Sequence, residues 1–262
     1  MSATAMPRLP DMRAPAGLGI VALVAGLAVL SVVWEGSVGT PLAEPGTRHW
    51  LGTDPVGRDL VPALMGAAST TLPLALFGTI VCLFVGMPVG VALSRSGSAA
   101  GQAQHPVALL TPALLIGLVV SGLGASGYLT LLASIALPGF VLVAISTRDV
   151  LAPLWRQDFV TSARLAGLGT LSAAQRHVLP RLLPRLAANA CELLAAVVLI
   201  EVSLSFAGLG VRPPGTSLGL LLREGQQFVT VRPLLVIMPG VVVVVLVLGL
   251  LLAAAGLRGR GR

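Results

Sequence analysis

The sequence predicts an all-α, polytopic membrane protein with about six transmembrane helices. Three observations carry this. Only 10% of the 262 residues are charged and 55% are hydrophobic, where a soluble domain carries about 25% charged residues. The mean hydropathy is +0.94. Six apolar stretches recur along the chain, each about 17–25 residues, enough for a helix to cross a hydrocarbon core of about 30 Å. With so few charges a water-facing surface cannot be kept polar, so much of the surface faces lipid.

Residues 1–16 read as a cytoplasmic tail carrying Arg8 and Arg13, and the first span, 17–34, follows from Gly17 to Trp34. A basic tail before an apolar run also begins a secretory signal. No clear small-residue cleavage site follows, and Trp34 stands where an interfacial anchor is expected, so the helix is read as retained. Residues 35–69 read as an outer segment, and His49-Trp50-Leu51-Gly52-Thr53-Asp54-Pro55-Val56-Gly57-Arg58-Asp59 within it predicts a folded cap on the outer face. A transmembrane core over 70–257 comes next. Its second span runs from about Thr70 to Leu93, its third from about Val107 to Leu123 and its fourth from about Tyr128 to Ile145. Gly122, Gly124 and Gly127 divide the third from the fourth. An inner loop over 146–188 leads to the fifth span, about Ala187 to Ala207. The outer segment Gly208 to Arg232, with Pro213-Pro214-Gly215 as a rigid turn, precedes the sixth span, about Pro233 to Leu257, and a tail over 258–262.

Arginine distribution orients the spans. With the N-terminus cytoplasmic, the inner segments hold Arg8, Arg13, Arg95, Arg148, Arg156, Arg164, Arg176, Arg181, Arg185, Arg258, Arg260 and Arg262. The outer segments hold only Arg48, Arg58, Arg212, Arg223 and Arg232. This satisfies the positive-inside rule with both termini inside, in the plasma (inner) membrane. The net charge of +7 is thereby explained by orientation and by attraction to anionic lipid rather than by nucleic acid.

Several chemistries are excluded. All 17 basic residues are Arg; without a Lys there is no Walker-type phosphate loop and no Schiff base. Cys82 and Cys191 lie in apolar runs and read as buried free thiols. His49, His105 and His177 are too scattered to form a metal site. No span holds a nucleophile with a base, or paired acids, so no catalytic residue is expected.

The inner loop has its own organisation. Asp158 caps a short helix from Phe159 to Leu165, which Gly167 and Gly169 end. Ser172-Ala173-Ala174-Gln175 forms a capping box for a second helix. Pro180 suits the first turn of a helix leading into the fifth span, and Pro184 is expected to bend it. Ser162, Ala163, Ala166 and Gly167 make a small-residue knob ringed by Arg164, Arg176, Arg181 and Arg185. An orienting loop needs none of this.

At this loop the chain resembles the permease subunits of bacterial ABC importers, whose hallmark is Glu-Ala-Ala, three residues, Gly, nine residues, Ile-x-Leu-Pro. Thr161-Ser162-Ala163, Gly167 and His177-Val178-Leu179-Pro180 reproduce that spacing, with Thr161, Ser162 and His177 replacing the Glu, first Ala and Ile. Arg176-His177-Val178-Leu179-Pro180, the 51–59 stretch, and Glu201-Val202-Ser203-Leu204-Ser205-Phe206-Ala207-Gly208-Leu209-Gly210 before Pro213-Pro214 are similar to the dipeptide, oligopeptide and nickel branch. The branch's Gly-Asp-x-Leu-Arg tail is replaced by Ala255-Gly256-Leu257-Arg258.

The resemblance implies a type I ABC importer permease fold and a non-catalytic subunit. It implies pairing with a second homologous permease subunit, one or two separate ATP-binding subunits that hold ATP and Mg, and an extracytoplasmic solute-binding protein. It implies an ATPase-coupling role for Thr161, Ser162, Ala163, Arg164, Gly167, His177, Leu179 and Pro180. Thr161 can cap a helix but cannot form the ion pair expected of a Glu, so coupling leans on shape and on Arg164. Peptides, nickel, metallophores, opines and haem-related compounds are the cargo classes implied.

Glu192 and Glu201 are the acids within or near a span interior, and an intramembrane acid is a functional candidate by default. Nine residues apart, they fall on opposite helix faces and form no relay pair. Structural or gating roles are expected, with Glu192 snorkelling or meeting Arg185. No charged or aromatic cluster marks a cargo site. The alternative class is an ATPase-independent secondary transporter or channel.

Overall fold

The computed structural model describes residues 12–31, 38–95, 110–123, 127–153 and 179–260. Seven α-helices order the described chain: α1 (Arg13–Leu30), α2 (Leu60–Arg95), α3 (Leu110–Gly122), α4 (Tyr128–Leu151), α5 (Leu179–Phe206), α6 (Leu218–Gly225) and α7 (Leu234–Arg260). Among the described residues, five helices are long and apolar enough to cross a membrane: α1, α2, α4, α5 and α7. The described α3 has 13 residues, about 20 Å at 1.5 Å per residue.

Three helices overrun the apolar stretches that announce them by more than one turn. α2 begins at Leu60 rather than near Thr70, because Asp59 caps it: Oδ1 accepts from Val61 N–H at 3.0 Å. Pro62, in the first turn, has no N–H that the helix would use. Ala67 and Ala68 are buried against protein, so hydropathy, which reports lipid exposure, undervalues this stretch. α4 continues past Ile145 to Leu151, and α5 starts at Leu179, eight residues before Ala187. Pro180 falls in its first turn and Pro184 lies inside it.

α5 is the centre of the bundle, packing against α2, α3, α4, α6 and α7. Leu193, Val197, Val198, Ile200 and Leu204 along it are almost fully buried. Within lipid no hydrophobic force draws helices together, so association depends on close packing and hydrogen bonds. Glycines supply the closeness. A methyl at Gly86 would overlap the Phe140 carbonyl and Val143, and one at Gly90 would overlap Ala144 and Thr147, which fixes α2 on α4. Gly17, Gly249 and Gly256 do the same between α1 and α7. The outward faces stay apolar, as with Leu76, Ile80 and Phe84 on α2 and Val241, Val244 and Leu248 on α7.

One end of the bundle carries the cap, residues 38–59. Thr53 Oγ1 donates to Thr40 O at 2.6 Å and accepts from Ala43 N–H at 2.8 Å. Asp54 Oδ1 accepts from the N–H groups of Val56 and Arg58, both at 2.8 Å. Gly52 and Gly57 take φ of 83° and 86°, where only glycine is unstrained. His49 Nδ1 donates to Asp59 Oδ2 at 3.2 Å. Arg232 ties this cap to the approach of α7, donating to Leu42 O at 2.9 Å and to Glu44 at 3.1 Å. The 51–59 stretch is thus a self-bonded turn ending in a helix cap.

Candidate functional site

α5 carries both intramembrane acids and links the two ends of the bundle. At the cap end it closes with a Schellman turn: Leu209 N–H bonds Leu204 O at 2.9 Å and Gly208 N–H bonds Ser205 O at 3.1 Å. Gly208 has φ of 82°, the left-handed conformation that this turn requires. The chain then returns over the helix end through a cis Pro213-Pro214 bond. Ser217 starts α6, its Oγ accepting from Leu220 N–H at 3.2 Å. Gly219 lets α6 press onto Val202 and Ser205.

Glu201 lies beneath this return, fully buried. Its Oε2 accepts from Thr71 Oγ1 of α2 at 3.0 Å and its Oε1 accepts from Ser205 Oγ at 2.8 Å. The Ser217 hydroxyl is a further hydrogen-bonding neighbour. Among the described residues its partners are hydroxyls and not cations. A buried carboxyl unsatisfied in this setting would cost several kcal/mol, so the hydroxyl shell is what makes the position tolerable.

Above the node is a groove of about 480 Å³, walled by Asp54, Arg58 and Pro62 on one side and by Pro213, Thr216 and Glu224 on the other. Arg58 Nε contacts Asp54 at 3.3 Å.

Glu192 lies midway along α5, nine residues before Glu201 and beside the last turn of α7. It is 7% exposed and accepts from Arg258 Nη2 of α7 at 2.5 Å. Arg258 also reaches Asn189 at 3.5 Å. This corrects the expected partner: Arg185 is exposed, and the last turn of α7 supplies the cation instead. A cavity of about 570 Å³ opens here among α2, α4, α5 and α7, with Met87, Thr147, Asp149, Asn189, Glu192 and Arg258 in its lining. Val150 near the end of α4 and Leu183 near the start of α5 also line it.

Of the residues singled out by sequence, Leu179 and Pro180 open α5. Thr161, Ser162, Ala163, Arg164, Gly167 and His177 lie outside the described residues, as do Trp34 and the segments expected to form two short loop helices. Glu192 and Glu201 are on α5 with separate partners and are not brought together. Cys82 is buried and free, its thiol 3.6 Å from Ile135 O, while Cys191 is only partly buried. Sequence reasoning missed Thr71, Ser205, Ser217 and Arg258 as partners. Only the Glu201–Ser205 pair had a readable signal, the one-turn spacing on a helix.

Residues 86–260 match the family described as "Binding-protein-dependent transport system inner membrane component". The Nickel transport system permease protein NikC of Escherichia coli (strain K12) is 27% identical over 248 residues, covering 91% of this chain and 90% of that protein. The Di/tripeptide transport system permease protein DppC of Pseudomonas aeruginosa (strain UCBPP-PA14) is 29% identical over 214 residues, 80% of this chain and 71% of that protein. The Oligopeptide transport system permease protein OppC of Mycobacterium bovis (strain ATCC BAA-935 / AF2122/97) is 26% identical over 225 residues, 84% of this chain and 76% of that protein. The match spans the central helix, both of its acids and the loop before it, so this chain belongs to the family of inner membrane components of binding-protein-dependent transport systems.

Proposed function

We propose that this chain is one of two paired permease subunits of an ATP-driven importer, driven through the loop between α4 and α5 by a separate ATPase subunit. One observation carries the proposal: the spaced motif of residues 161–180 ends on Leu179-Pro180, the first turn of α5. A helix started there transmits displacement of the loop along its axis, and α5 is the helix most enclosed by others. ATP and Mg belong to the partner, since this chain has no Lys for a phosphate loop. Both termini are cytoplasmic, which puts the cap and the groove outside, facing a solute-binding protein. The cargo is a small peptide or a related solute such as nickel, in keeping with the names of the relatives. Thr161 offers no charge for an ion pair, so Arg164 and the shape of the knob at Ala163 and Gly167 make the contact.

The test is co-purification. Tagged chain is expected to bring down an ATPase subunit, and cells expressing it are expected to accumulate radiolabelled nickel or dialanine. Gly167→Trp, or deletion of 161–167, is expected to abolish uptake and ATPase recovery while the chain stays in the membrane. Normal uptake by a well-expressed deletion would overturn the assignment.

A further inference from the structure

We propose that Glu201 is a positioning residue for transport, one that sets the wall of the cap-end groove by orienting two hydroxyls toward the returning segment. The inference rests on the permease function proposed above.

A hydroxyl has a single proton. Thr71 and Ser205 both direct theirs to the Glu201 carboxyl, which leaves their oxygen lone pairs to accept from the backbone. Thr71 Oγ1 accepts from Leu218 N–H and Ser205 Oγ accepts from Val211 N–H, both at 3.2 Å. These two bonds bracket the segment that walls the groove through Pro213 and Thr216.

Neighbouring hydroxyls on α2 behave differently. Thr70 donates to Gly66 O at 3.4 Å and Thr79 donates to Ala75 O at 2.8 Å, each the carbonyl one turn back. Back-bonding of this kind is the default for a helical threonine. Thr71 forgoes it and points across to α5. Glu201 supplies the acceptor that holds it there, so replacing one carboxylate oxygen by an amide NH2 turns away one of the two hydroxyls and costs its N–H group a partner. Thr71, Glu201, Ser205 and Ser217 are all fully buried, so water does not substitute. Because Glu201 rides on α5, a shift of that helix is passed to the segment through these bonds.

The experiment compares Glu201→Gln, Thr71→Val and Thr71→Ser, each alone and with Val211→Cys. Val211 is 1% exposed, so its cysteine is expected to label slowly with a membrane-impermeant maleimide. Glu201→Gln and Thr71→Val are expected to raise that labelling and to lower uptake of radiolabelled nickel or dialanine, each by about ten-fold, the scale of one buried hydrogen bond. ATPase recovery is expected to be unchanged, and Thr71→Ser is expected to restore both readouts. Unaltered labelling and uptake in Thr71→Val would overturn the proposal. So would parallel loss of assembly in every variant, including Thr71→Ser, which marks a purely structural role. If the unaltered chain recovers no ATPase and transports neither probe, the importer assignment fails, and the labelling arm still decides the role of Glu201.

Discussion

Glu192 and Glu201 are chemically identical and sit on one helix, yet their environments differ. Glu201 is satisfied by hydroxyls, Glu192 by the guanidinium of Arg258. A charge pair is tolerated near the loop end because Arg258 is half exposed, its side chain 50% accessible, while Glu192 is 8% accessible. The pair therefore anchors α7 to α5 more than it adds net stability. Arg258→Met is expected to lower stability by about 1–3 kcal/mol, because it strands a buried acid. The double variant Glu192→Gln with Arg258→Met is expected to recover most of that loss, and thermal unfolding in detergent reads both. Equal destabilisation by the single and double variants would refute the pairing. From sequence these residues were visible only as two acids and one orienting arginine. Apart from Ser205, one turn from Glu201, the partners Thr71 and Arg258 lie 130 and 66 residues away, beyond any local spacing rule.

At the level of elements, the motifs translate into backbone devices. Gly208 ends α5 with a left-handed turn, and Gly210 and Gly219 allow the returning chain to approach Ser205 and Val202. Asp59 starts α2 and also holds His49. The type of every span was legible because apolar runs of this length leave no other option in lipid. Boundaries were not: α2 and α4 extend into polar or small-residue chain that packs on protein, and α5 begins in an arginine- and proline-bearing turn whose Leu183 and Arg185 are exposed. Glycine roles divide in the same way. Gly86→Leu is expected to cost about 3 kcal/mol or more by forcing α2 off α4, since a side chain there meets Phe140 and Val143. Gly19→Ala, with nothing within 4 Å, is expected to stay within about 1 kcal/mol of the parent. Comparing melting temperatures and membrane yields of the two variants distinguishes a packing glycine from an idle one.

Across the whole molecule, a central helix carries two polar nodes, Glu201 near its cap end beneath the groove and Glu192 midway along it beside the cavity. The positive-inside rule predicts that the loop end faces the cytoplasm. Alkaline phosphatase fused after Arg262 is accordingly expected to be inactive and green fluorescent protein at the same site to fluoresce; an active phosphatase would reverse the orientation. The sequence by itself determined that the chain spans a membrane, how many apolar runs it offers and where its glycine, proline and aspartate turns lie. It did so because a bilayer core forces every backbone group into helical bonds, which makes composition nearly sufficient. Only the tertiary structure decided which helix is central, which face each acid presents and what satisfies it. Those outcomes depend on contacts between segments distant in the chain, and on hydroxyl directions that no periodicity encodes.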